Sequence, residues 1–216
     1  MIEAFKKVYL IQELMETDMH HMICTQDLSD DHFQYSIYQT LQALKVLHST
    51  NMIHQDLKPL KLLLNDNCDM KVCDFGLAQC PHSQARDRFM TKYVSKSWYH
   101  APKIMLIFKQ YTKTLDVWLV GCILAEMLSS HLLFPSHDYH CQLTLILDVL
   151  DTPTLDKLYA INSHRSCDYI QALPFHKKHT TSKNYSDKAV QVTSFQHSLP
   201  QCIWTCNQLP QQDPHF

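Results

Sequence analysis

The sequence predicts an α+β fold in which helices dominate and the strands are confined to short hairpins. Three observations carry this. Apolar residues Ile37, Leu41, Leu44 and Leu47 recur at helical spacing behind an acidic start. Residues 115–128 are apolar nearly all round, the pattern of a helix buried in the centre of a domain. Leu62 to Leu64 and residues 70–73 flank a polar turn at Asn65 to Asn67 and read as one short hairpin.

In chain order, residues 8–14 (Val8 to Leu14) read as a buried strand and residues 17–25 as a short helix. Ser29 is then an N-cap, with Asp30 and Asp31 in the first turn where a helix favours negative charge, and the helix runs to about His48. The hairpin follows. Asp116, inside the apolar helix of residues 115–128, is a buried charge that requires partners. Residues 141–150 form an amphipathic helix that Asp151-Thr152-Pro153 ends. After about Leu173 the texture changes. Residues 176–216 are rich in Ser, Thr, Gln, Lys and His, include Pro200, Pro210 and Pro214, and hold no period of either kind, so disorder is expected there.

At 216 residues, 45% hydrophobic and 19% charged, the chain can build one core, or one core and a tail. A net charge of -2 gives no reason to invoke nucleic acid or an acidic membrane surface. No run approaches the roughly eighteen apolar residues of a spanning helix, and charges break up the N-terminal segment, so an intracellular protein is expected. Nine cysteines at irregular spacing, without a C-x-x-C pair, argue against a disulfide framework or zinc ribbon. His137, His140 and Cys141 read as a solvated loop leading into a helix, and Cys202, Cys206 and His215 make no better metal set.

Two motifs carry the chemistry. His54-Gln55-Asp56-Leu57-Lys58-Pro59 is followed, beyond the hairpin, by Asp74-Phe75-Gly76. Together they resemble the catalytic loop and the D-F-G metal loop of protein kinases. Further words follow in family order: Thr91-Lys92-Tyr93, Ala101-Pro102-Lys103, Asp116-Val117-Trp118, and Gly121 to Glu126. With the hinge-like stretch from Gln12 to Asp18 and Phe134-Pro135 before Asp138-Tyr139, they make residues 6–175 similar to the mitogen-activated protein (MAP) kinases of the extracellular-signal-regulated, fungal-like type.

The resemblance implies a protein-kinase-like fold, mainly the helical C-terminal lobe with short β-hairpins and almost no N-lobe. Residues 1–175 would be a partial kinase domain, with hinge, C-lobe and activation segment, and residues 176–216 an unrelated or disordered tail. It implies ATP and Mg2+ as cofactors. By position, Asp56 is the base, Lys58 the phosphoryl contact and Asp74 the metal ligand. Glu13 and Met15 offer backbone contacts to adenine, Leu63 its floor, and Asp18 lies near the ribose. Thr91 and Tyr93 are the activation phosphosites. Asp116 holds the backbone of the loop from His54 to Asp56.

Departures from the family pattern cluster on the mechanism. Lys61 stands where the catalytic loop carries a metal-binding Asn, and an ammonium has donors but no acceptor. Two glycines in the whole chain, Gly76 and Gly121, leave no room for a glycine-rich phosphate loop. Gln55, Ser97 and His100 replace arginines that grip activation phosphates, Lys103 reverses the sign of a paired Glu, and Lys96 is placed to ion-pair with Asp56. The chain is therefore expected to be catalytically inactive. Loss of the closing helices is expected to leave Leu119, Val120, Ile123 and Leu124 wet, at about 1.5–3 kcal/mol each.

One surface keeps its family chemistry. Met22, Leu28, His32, Tyr35 and Cys68 map to the docking groove with which MAP kinases take peptides of partner kinases and substrates. The acidic patch that would complete it belongs to the part of the chain that departs from the family. Two functions of different class follow: a Ser/Thr protein kinase, or a non-catalytic, pseudokinase-like fragment that binds partners through the groove.

Overall fold

The computed structural model describes residues 9–25, 28–80, 98–106, 112–154 and 163–173. In order they form β1 (Thr17–Asp18), α1 (Met19–Thr25), α2 (Asp30–Ser49), β2 (Leu62–Leu64), β3 (Met70–Val72), α3 (Pro102–Leu106), α4 (Lys113–Ser129), α5 (Tyr139–Leu150) and α6 (His164–Ala172). The strands make one antiparallel sheet in the order β1-β2-β3, with Thr17 opposite Leu64 and Leu63 opposite Lys71.

Local chemistry explains the boundaries. Ser29 caps α2 in a reciprocal box with His32, and Asp30 and Asp31 complement the positive end of the helix. The helix stops where Asn51 adopts the left-handed conformation that Asn tolerates. Asp138 caps α5 by accepting the Cys141 N–H at 2.8 Å, and Ser163 caps α6 through Ser166.

Helix α4 divides the core. Trp118, Cys122 and Ala125 pack with α5, α6 and Phe134, whose ring stacks on Trp118 at 6.1 Å. Leu119, Val120, Ile123 and Met127 pack instead with α1, α2 and β2. A helix apolar all round suits a central position of this kind.

Four expectations are corrected. Residues 9–15 form no strand, and Tyr9, Leu10, Ile11 and Leu14 are exposed, Ile11 to 95%. A strand needs a neighbour for its backbone bonds, and among the described residues none runs beside this stretch; Val8 lies outside them. The helix expected over residues 17–25 yields its first two residues to β1. Leu119, Val120 and Ile123 are buried, not wet, because α1, α2 and β2 cover that flank, and Leu124 is half-buried. Helix α2 turns Phe33, Ser36, Thr40 and Leu44 inward and leaves Leu41 exposed. Small polar residues fit beside β3, and the Thr40 hydroxyl is satisfied by the Ser36 carbonyl at 2.8 Å. The tail of residues 176–216 lies outside the described residues.

Candidate active site

The site is built around the loop between α2 and β2, and Asp116 of α4 fixes that loop. Fully buried, its carboxylate accepts the His54 N–H and the Gln55 N–H at 2.9 Å each and meets His48 Nε2 at 2.8 Å. Three donors satisfy a charge that burial alone would make very costly. Gln55, held in the left-handed region at φ 70°, turns the chain so that Asp56 points back toward the hairpin.

His54 joins this loop to the Asp74-Phe75-Gly76 turn. Its Nε2 meets the Cys73 carbonyl at 3.1 Å, its Nδ1 accepts the Asp56 N–H at 3.4 Å, and its ring tilts against Phe75 at 5.1 Å. Burial lowers its pKa, with the Cys73 carbonyl and then Asp116 opposing. Paired bonds of 2.9 Å between Ile53 and Gln79 tie the two loops further.

These contacts bring Asp56, Lys58, Lys61 and Asp74 together. Lys58 and Lys61 each lie 3.4 Å from Asp56 Oδ2, and the Lys61 ammonium also contacts Asp74 Oδ2. Lys61 and Asp56 are well covered, while Asp74 is more than half exposed. Asp74 takes a left-handed conformation and accepts the Gly76 N–H at 3.3 Å; a Cβ at Gly76 would come within 3.1 Å of that carboxylate. Magnesium takes oxygen ligands in near-octahedral array, and here the position between the two carboxylates is held by an ammonium with no lone pair. The residues present do not fit the metal. Sequence reasoning identified Lys61 as a non-ligand but missed its contact with both aspartates.

The residues expected to meet a nucleotide, Glu13, Met15, Asp18 and Leu63, lie in or beside β1 and β2. Glu13 is exposed and ion-pairs with Lys71 of β3, Met15 is half-buried, and Leu63 faces away from its buried neighbours Leu62 and Leu64. Asp18, paired in register with Leu63, spends an oxygen on the His21 N–H at 2.9 Å and so caps α1.

Beyond α2, His100 is packed against Tyr139, ring on ring at 6.2 Å, and burial lowers its pKa to about 4. Tyr99 donates its hydroxyl to the buried Glu126 at 2.5 Å, and burial raises the pKa of Glu126. Lys103 is buried. Thr91, Tyr93, Lys96 and Ser97 lie outside the described residues.

Met22, Leu28, His32, Tyr35 and Cys68 come together around one narrow groove between α1, α2 and the β2–β3 turn, joined there by Met19, Ser36 and Leu64. Gln39, which sequence reasoning passed over as a polar residue within a helix, clamps the turn. Its amide donates to the Cys68 carbonyl at 2.9 Å and accepts the Met70 N–H at 2.8 Å. Tyr35 donates to Asp69 at 3.3 Å at the groove mouth. Among the described residues no three metal-capable side chains cluster, and no helix is long and apolar enough to cross a membrane.

A helical body, a three-stranded sheet and a loop pair presenting Asp56 and Asp74 define the class. The protein kinase domain profile matches residues 1–197, and the chain belongs to that family. Its relatives are MAP kinases. It is 67% identical over 177 residues to mitogen-activated protein kinase PMK1 of Pyricularia oryzae, a match covering 82% of this chain and 50% of that protein. It is 61% identical to extracellular signal-regulated kinase 1 of Candida albicans, covering 43% of it, and 55% identical to mitogen-activated protein kinase spk1 of Schizosaccharomyces pombe, covering 48%. The chain thus spans about half the length of these relatives.

Proposed function

We propose that this chain is an intracellular MAP-kinase relative that does not itself transfer phosphate from ATP to Ser/Thr of proteins. The reading is carried by Lys61, whose ammonium touches Asp74 and lies 3.4 Å from Asp56. Phosphoryl transfer depends almost entirely on positioning and charge neutralisation. With Asp56 held by Lys58 and Lys61, the expected base is engaged by two cations, and with Asp74 held by Lys61 the expected metal ligand is engaged as well. The test is a thermal melt with MgATP and a transfer assay on a Ser/Thr-Pro peptide. No shift at millimolar nucleotide and no transfer are expected. A shift of several degrees together with transfer, lost in Asp74→Asn, overturns the reading.

A second reading concerns binding. Met22, Leu28, His32, Tyr35 and Cys68 around one groove support a docking role toward basic-plus-apolar peptides of partner kinases or substrates. A labelled peptide of that kind, titrated against wild type and Tyr35→Ala, tests it. Saturable binding weakened by the substitution supports it, and equal or absent binding in both ends it.

A further inference from the structure

Helix α1 carries a second chemistry on its outer face. His20 and Cys24 stand four positions apart, so the helix sets them one above the other on successive turns. Both are exposed, and His20 Nε2 lies 3.9 Å from Cys24 Sγ. The other ring nitrogen, Nδ1, faces Glu126 Oε1 of α4 at 3.9 Å. Glu126 is buried and takes the Tyr99 hydroxyl, so its carboxylate is fixed in place. One imidazole thus stands between a surface thiol and an inner carboxylate.

Thiol and imidazole are the donors that zinc-class ions select, and a tetrahedral ion bonded at about 2.3 Å to sulfur and about 2.0 Å to nitrogen holds those two atoms roughly 3.5 Å apart. The pair needs to close by only a few tenths of an ångström, which side-chain rotation on an exposed helix face supplies. A ligating imidazole usually turns its other N–H toward a carboxylate, and Glu126 lies on that side of the ring. A metal on Nε2 places the ring proton on Nδ1, facing Oε1. Cys141, the other exposed thiol among the described residues, is engaged differently: its Sγ donates to Asp138 Oδ2 at 3.6 Å, and that carboxylate also caps α5.

We propose that His20 and Cys24 form a two-donor chelate for a zinc-class divalent cation, with Glu126 as the carboxylate behind the ligating imidazole. The site uses none of the residues of the Asp56–Asp74 loop pair or of the groove. Both donors stand at the surface, so the remaining positions on the ion are open to water. Binding forms one bond to sulfur and one to nitrogen and releases the thiol proton to solvent, with no change of oxidation state. The ion also ties together two turns of a helix of seven residues, which is too short to be stable alone.

The experiment uses the reduced full chain and reads each cysteine separately. The protein is alkylated with iodoacetamide at neutral pH, with and without zinc chloride, and mass spectrometry of the digest gives the rates at Cys24 and Cys141. Only a free thiolate is nucleophilic, so alkylation of Cys24 is expected to be roughly tenfold slower once free zinc exceeds its dissociation constant about tenfold, while Cys141 keeps its rate. Magnesium, which takes oxygen ligands, is expected to leave Cys24 unprotected. In His20→Ala the protection by zinc is expected to disappear. Unchanged alkylation of Cys24 in zinc, equal protection of Cys24 in His20→Ala, or equal protection of Cys141 overturns the proposal. Cobalt(II) gives an independent reading: its thiolate charge-transfer absorption is expected to be weaker in Cys24→Ser than in wild type, and identical spectra overturn the proposal as well.

Discussion

The ammonium of Lys61 lies against the carboxylate of Asp74, a contact made across the hairpin formed by β2 and β3. Its nitrogen also faces Asp56 at 3.4 Å, so one cation serves two carboxylates.

Lys61→Asn removes that cation and supplies an amide oxygen. The variant is expected to gain a divalent-cation site between Asp56 and Asp74, and wild type is expected to show none. Thermal melts with and without added MgCl2 check this: the variant should rise by a few degrees and wild type by nothing measurable. Equal responses would show that the ammonium is not what decides cation binding.

Asp116→Ala strands the buried His54 N–H, the partly buried Gln55 N–H and the imidazole of His48. A loss of roughly 2–5 kcal/mol is expected in urea unfolding, with Asp116→Asn less severe because one acceptor oxygen survives. A change under about 0.5 kcal/mol, the level of an ordinary surface substitution, would contradict this account.

Acid should unfold the chain partly through His100. Its pKa falls from 6.5 to about 4 in the folded state, so between those values the unfolded chain binds more protons and stability drops as pH falls. The loss begins near pH 6.5, is complete near pH 4 and amounts to about 3 kcal/mol at most. His100→Phe, which keeps a ring against Tyr139, should flatten the stability profile over that window, as read from urea midpoints. An unchanged slope would assign the acid sensitivity elsewhere.

Tyr99→Phe removes the hydroxyl that favours the charged form of Glu126. Burial already raises that carboxyl, and the hydrogen bond from Tyr99 opposes it. A group with a raised folded pKa contributes stability below its unfolded value and loses it as pH rises through the folded one. The variant pKa goes higher still, so the cost of the substitution should be larger at pH 8 than at pH 5, within roughly 1–3 kcal/mol. A pH-independent cost would mean that Glu126 does not change its protonation state between pH 5 and pH 8 in either protein.

Much of the fold was legible because it depends on neighbours along the chain. The Ser29 cap, the hairpin turn at Asn65 and the apolar run of α4 are short-range signals, and each element formed where its signal lay. The stretch from Tyr9 to Leu14 failed for the complementary reason: its composition suits a strand, but a strand exists only beside another. In the site, the identities at Asp56, Lys61 and Asp74 could be read and their charges weighed. The His48 contact with Asp116 could not, since 68 positions separate the two.

The sequence by itself determined which chemical groups this protein owns: helices with their caps, a kinase loop pair, and an ammonium at Lys61 beside two aspartates of those loops. Tertiary structure alone decided whom those groups meet. It set Lys61 between Asp56 and Asp74, turned Thr40 inward and Leu41 outward, and gathered His32, Tyr35 and Cys68 around one groove. Periodicity and capping act within a few residues, whereas the partner of a side chain is chosen by elements that come together only when the core closes.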